Sequence, residues 1–78
     1  MHLEIITPDK KLFSGDVKAV VLPGSQGRFG VLNKHASMIS SLKKGKIKIT
    51  DDKQEIKYFD INGGVAEVHK NKIIVLAE

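Results

Sequence analysis

The chain contains no cysteine and no tryptophan, only two prolines, and four aromatic residues (three Phe, one Tyr) in 78. Without cysteine, neither a disulfide framework nor a thiolate metal site can be built, and the composition suits a reducing compartment. Long apolar runs are missing too. No stretch approaches the ~18 residues of a membrane-spanning helix. The opening Met1-His2-Leu3-Glu4-Ile5-Ile6 lacks the basic start and continuous apolar run of a signal peptide. These absences lead us to expect a soluble cytosolic domain. The scarcity of aromatics also weakens a nucleic-acid reading, because sheets that bind single strands use exposed rings as stacking platforms. At least two of Phe13, Phe29, Phe59 and Tyr58 are needed for the core.

What is present is a rhythm of short apolar runs separated by turn signals, which predicts an all-β sandwich or barrel in a single domain, residues 1–78. Leu3, Ile5 and Thr7 alternate with Glu4 and Ile6 until Pro8-Asp9. Lys11-Leu12-Phe13 is a second short strand, stopped by Ser14-Gly15-Asp16. Val17 to Leu22 is apolar on both parities, which predicts a central strand buried on both sides and ended by Pro23-Gly24. Ser37 to Leu42 fits a helix by the spacing of Met38 and Leu42 and a strand by its length. In Lys43-Lys44-Gly45-Lys46-Ile47-Lys48, lysines alternate with Ile47 and Ile49, as on the solvated face of a strand. Thr50 to Glu55 is a polar reversal, Ile56 to Ile61 a strand, and Asn62-Gly63-Gly64 a tight bend needing positive φ. Val65–Val68 and Ile73–Leu76 form a hairpin across His69 to Lys72, in which Asn71 can adopt a left-handed conformation.

The candidate chemistry is thin. Gly24, Gly27 and Gly30 could cradle a phosphate, but such cradles need a helix N-terminus after them, and Val31-Leu32 and a further turn follow. A turn or bulge that brings two strands close is the better reading. His2, His35 and His69 have no second ligand at metal-binding spacing. No serine sits in a nucleophile elbow. Asp51-Asp52 is a hairpin tip whose side chains diverge. We therefore expect no catalytic residue, no cofactor and no metal.

Taken in order, the turns resemble those of one family, the epsilon subunits of F-type ATP synthases. His2 to Pro8 followed by Leu12-Phe13-Ser14-Gly15 is similar to the family's opening strand and Phe-Ser-Gly turn. Gly24 to Leu32 resembles its glycine-spaced loop, and Lys34-His35-Ala36-Ser37-Met38-Ile39 its Gly-His-Ala-Pro-Leu-Leu motif. Gly45 to Ile49, Gly63 to Val68 and Val75 to Glu78 follow in the family's order. The resemblance implies a β-sandwich of about ten short, mostly antiparallel strands, with Ser37 to Leu42 a strand. It implies a rotor-stalk subunit that couples the gamma subunit to the c-ring during ATP synthesis. Its partners would be gamma and the c-ring, not nucleic acid. It would sit at the cytoplasmic face of the bacterial inner membrane, peripheral and held only through the complex. Thr7, His35 and Ser40 match gamma-facing positions; Ser25, Gln26, Arg28 and Phe29 match the c-ring-facing loop. The family usually carries an acidic residue where Arg28 stands and a proline where Ser37 stands. Many relatives continue into a two-helix domain that senses ATP, so a chain ending at Glu78 would couple the stalk without that brake.

Two other classes compete. A small basic β-barrel binding RNA or single-stranded DNA accounts for the 13 basic against nine acidic residues, but not for the ordered turns. A lipoyl- or biotinyl-type carrier would place a modified lysine at the Lys70–Lys72 tip, but the expected flanking residues are missing.

Overall fold

Every apolar run becomes a strand in the computed structural model, which describes residues Met1–Glu78. In order these are β1 (His2–Ile6), β2 (Lys11–Asp16), β3 (Ala19–Gly24), β4 (Gly27–Leu32), β5 (Met38–Leu42), β6 (Gly45–Thr50), β7 (Ile56–Ile61), β8 (Gly64–His69) and β9 (Lys72–Ala77). No helix is long and apolar enough to cross a membrane. The strand count, nine, agrees with the expected ten or so. They form one curled sheet in the order β2-β1-β9-β8-β5-β3-β6-β7, with β4 on the other edge of β3. All pairings are antiparallel except β1 with β9.

The sheet folds over at β3. Ala19 to Val21 pair with β6, whereas Gly24 pairs with Leu42 of β5. One layer is then β2-β1-β9-β8-β5 and the other is β4-β3-β6-β7. Phe13 of β2 meets Phe59 of β7 edge to face at 5.7 Å, which draws the two free ends of the curl together. Between the layers lie Leu3, Ile5, Ala66, Val68, Ile73 and Val75 from one side, and Val20, Leu22, Val31, Ile47, Ile49 and Ile61 from the other. Alternation does most of this work: Ile47 and Ile49 are buried while Lys46 is exposed.

Four expectations need correction. Ser14-Gly15-Asp16 does not stop the second strand; these residues continue β2 and pair with Glu4, Leu3 and His2 of β1. Val20 and Leu22 are buried, but Ala19 and Val21 are only half-buried, so β3 is central without being covered on both faces. Pro23 and Gly24 also do not end that strand; they are its last two residues and both are buried. The Pro23 carbonyl accepts the Lys43 N–H at 2.9 Å, so the donor that proline lacks would point into the corner where β5 and β6 diverge. No ladder bond to β4 is lost there. Asn71 does not turn left-handed; among non-glycine residues only Lys34 and Gln54 have positive φ. The reversal at Thr50–Glu55 instead uses Gln54 at φ 68°, with Asp51 Oδ1 accepting the N–H groups of Lys53 and Glu55, each at 2.9 Å.

The bend at Asn62-Gly63-Gly64 forms as expected, with both glycines at φ 148°. A Cβ on Gly64 would stand 2.2 Å from the Leu76 carbonyl oxygen. Glycine here lets β8 lie flush against β9.

Candidate partner-docking surfaces

No cavity opens in the fold, so functional candidates lie on its surface. The first is the outward face of the β1-β9-β8-β5 layer. Register places Ile6 opposite Leu76, Leu76 opposite Val65, and Val65 opposite Ser41. One step along, Glu4, Ile74, Glu67 and Ile39 stand in a row. Ile39 is 75% exposed, Leu76 47% and Val65 39%. Ile6 and Ile74 are half-buried beside them. Five aliphatic side chains thus share a face that the fold itself does not cover, with Glu67 standing between Ile74 and Ile39.

A polar rim borders this band. His2 Nε2 lies 3.3 Å from Glu4 Oε2, and its Nδ1 lies 3.5 Å from Asp16 Oδ1. The hydrogen bond from His2 holds the Glu4 carboxyl below the ordinary carboxylate range, with Lys11 and Lys72 adding to the effect and partial desolvation opposing it. His69 Nε2 lies 3.4 Å from Glu67 Oε1 on the same side of the sheet.

Thr7, His35 and Ser40 are not brought together. Thr7 closes the β1–β2 turn on itself, its Oγ1 donating to the Lys10 carbonyl at 2.9 Å and accepting the Lys10 N–H at 3.1 Å. It stands just beyond Ile6, at one end of the band. His35 lies in the β4–β5 connection at the opposite end, where Lys34 N–H donates to the Lys70 carbonyl and His35 Nδ1 donates to the Ala36 carbonyl at 2.7 Å. Ser40 shares the parity of Met38 and Leu42, so the outward positions of β5 are Ile39 and Ser41. Thr7 and His35 border the band, and Ser40 points to the other side of β5. Sequence reasoning missed the band because Ile73 to Leu76 is apolar on both parities, which conceals which half faces out.

The second candidate is the β3–β4 end. The expected glycine loop shrinks to a two-residue tip, Ser25-Gln26, between the paired Gly24 and Gly27. A side chain at Gly24 would collide with the Gly27 carbonyl at 2.6 Å and the Phe29 ring at 2.8 Å, which explains that glycine. Arg28 and Phe29 are therefore strand residues. Phe29 packs inward against the core. Arg28 is exposed, and its Nη1 donates to the Lys46 carbonyl at 3.1 Å, reaching across β3 over the buried Pro23. Lys46 Nζ pairs with Asp60 Oδ1 at 2.9 Å.

The family described as "ATP synthase, Delta/Epsilon chain, beta-sandwich domain" matches residues 1–78. The ATP synthase epsilon chain of Campylobacter curvus is 50% identical over 78 residues, which are all of this chain and 60% of the relative. That of Caulobacter vibrioides is 41% identical, and the match covers 90% of it. Among solved structures, a chain of the Euglena gracilis mitochondrial ATP synthase superposes with a TM-score of 0.90 at 21% identity, over 96% of this chain and 48% of that one. A chain from the central stalk and c-ring of the Tetrahymena thermophila enzyme gives 0.81 at 20% identity, over 99% and 62%. These two structures share the fold. The present chain spans about three fifths of the length of its Campylobacter relatives.

Proposed function

The chain belongs to the β-sandwich family of ATP synthase delta and epsilon chains, and from that premise we infer that it is a non-catalytic module of the central, rotating stalk. It couples the gamma subunit to the c-ring of a proton- or sodium-driven F-type synthase and stands, peripheral, at the cytoplasmic face of the bacterial inner membrane.

The observation that carries this reading is the uncovered aliphatic band of Ile6, Ile39, Val65, Ile74 and Leu76 on a rigid sheet. A contiguous apolar face rimmed by polar residues marks a protein-binding surface. Gamma is the partner seated on it, with Thr7 and His35 at its border and Ser40 behind it in β5. The Ser25-Gln26 tip, with Arg28, points towards the c-ring, while Phe29 supports the tip from the core. Torque passes through such a module without chemistry. Short strands around one continuous core deform little under load, and the band supplies a wide contact.

The test is to mix the chain with the gamma subunit of its own source organism. A one-to-one complex by size exclusion with light scattering is expected, with a total buried area above about 1,000 Å². Tight, salt-sensitive binding to RNA with no gamma complex would favour the nucleic-acid class instead.

A further inference from the structure

Two imidazole–carboxylate pairs stand on the outward face of the sheet, and the strand register sets them on either side of β9. Lys72 of β9 lies between His2 of β1 and His69 of β8; one step along, Ile74 lies between Glu4 and Glu67. In each flanking strand the histidine is two residues from its carboxylate and so shares its face. His2 Nε2 is 3.3 Å from Glu4 Oε2, and His69 Nε2 is 3.4 Å from Glu67 Oε1. Both carboxylates therefore stand beside Ile74, within the aliphatic face. The Glu4 side chain keeps 22% of its exposure and that of Glu67 40%, so a partner seated over Ile74 must cover both.

The cost of covering them depends on a proton. An ionised carboxylate withdrawn from water beside aliphatic side chains is unfavourable unless an opposite charge goes with it. A neutral imidazole supplies a hydrogen bond without charge, whereas a protonated one supplies both. At His2 the difference is greatest. Its Nε2 faces Glu4 and, at 3.5 Å, Ser14 Oγ, while its Nδ1 faces Asp16 Oδ1 at 3.5 Å. Only a ring protonated at both nitrogens donates to both carboxylates at once. We propose that seating of the partner on this face takes up protons at His2 and His69, so that its affinity rises as pH falls. The inference deepens the stalk reading and rests on it for the partner. The covered state favours the charged pair, so affinity is full on the acid side of the imidazole range and is lost as pH rises through it. The other charges facing the pairs are cationic: Lys72 between the two histidines, Lys11 beside Glu4, and Lys70 next to His69. Lys34 and His35 lie near Lys70, whose carbonyl accepts the Lys34 N–H. The Met1 ammonium donates to the Val17 carbonyl at 3.2 Å, and the Met1 side chain packs inward.

The test is titration calorimetry of the chain against the gamma subunit of its source organism, at about pH 6 and pH 8, in two buffers of different ionisation enthalpy. Affinity should be about tenfold higher at the lower pH, and the buffer dependence of the heat should report net proton uptake. His2→Gln with His69→Gln should abolish both effects and leave affinity near the unmutated value at the higher pH. Glu4→Gln with Glu67→Gln should abolish them too, but hold affinity near the value at the lower pH, because no charge is left to cover. A purely structural role would not give these opposite baselines. If a double variant unfolds, His69→Gln and Glu67→Gln alone decide, each halving the uptake. Binding that weakens on acidification, with protons released, would place cations of the partner against Glu4 and Glu67 and overturn the proposal. So would a pH dependence that survives in the double-histidine variant, which would belong to His35, the amino terminus or gamma. Binding without pH dependence sinks this inference and leaves the stalk reading standing. No binding at either pH sinks the stalk reading, and this inference with it.

Discussion

The two outward faces of the sandwich are built by the same alternation but offer different chemistry. On the β1-β9-β8-β5 layer, Leu76 and Val65 stand opposite one another, with Ile6, Ile74 and Ile39 beside them. On the β4-β3-β6-β7 layer, the exposed Leu32 is kept apart from Ile56 and Tyr58 by two intervening strands. Lys48 stands directly opposite Tyr58, and Arg28 and Lys46 lie further along. The first face can hold a partner by removing apolar area from water, a contact insensitive to salt. The second presents charge, which steers and orients but is screened. A sheet with one buried face thus leaves its other face free to be specified by function.

The largest expected effect breaks the first face. Ile39→Asp with Leu76→Asp removes two aliphatic contacts worth about 1.5–3 kcal/mol each when buried, so affinity for gamma should fall by roughly 100-fold or more. Titration calorimetry should give the same loss at low and high salt. The unfolding midpoint should barely move, because both side chains are exposed in the isolated chain.

Next comes Gly64→Ala. Its φ of 148° and a Cβ 2.2 Å from the Leu76 carbonyl oxygen would force β8 off β9. Denaturant unfolding should show a loss of about 3 kcal/mol, and gamma binding should weaken with it, since the band spans that seam. Gly27→Ala has an unusual φ of 127° but open space around it. It should cost about 1 kcal/mol and spare gamma binding.

A smaller effect is expected at the β3–β4 end. Ser41→Ala removes the hydroxyl bond to Ser25 and should cost about 0.5–1 kcal/mol. Faster amide exchange should be confined to Ser25 and its neighbours. Exchange rising across β8 and β9 as well would mean the two regions are not independent.

The smallest is electrostatic. The folded state lowers the Glu4 pKa, so its contribution is complete above the ordinary carboxylate value of about 4.3 and fades as pH falls through the depressed folded value. Stability curves of the unmutated chain and Glu4→Gln should converge once the pH has fallen through the depressed folded pKa of Glu4. Parallel curves would show that the His2–Glu4 contact contributes nothing to folding.

The all-β architecture was legible because strand periodicity and turn residues are local signals. Ile47 and Ile49 alternate with lysines, and Gly63-Gly64 marks a bend that needs positive φ. What resisted reading depends on distant partners. Pro23 resembles a strand terminator until the corner between β5 and β6 is known. The parallel pairing of β1 with β9 has no local signature. Likewise, the dispersal of Thr7, His35 and Ser40 follows only from register.

The proposed seat of gamma is the aliphatic band. The direct measurement is methyl NMR of the labelled chain with and without gamma. The methyl signals of Ile6, Ile39, Val65, Ile74 and Leu76 should shift together, while those of Leu32 and Ile56 stay in place. Movement of Leu32 and Ile56 with the band unchanged would put the partner on the other layer.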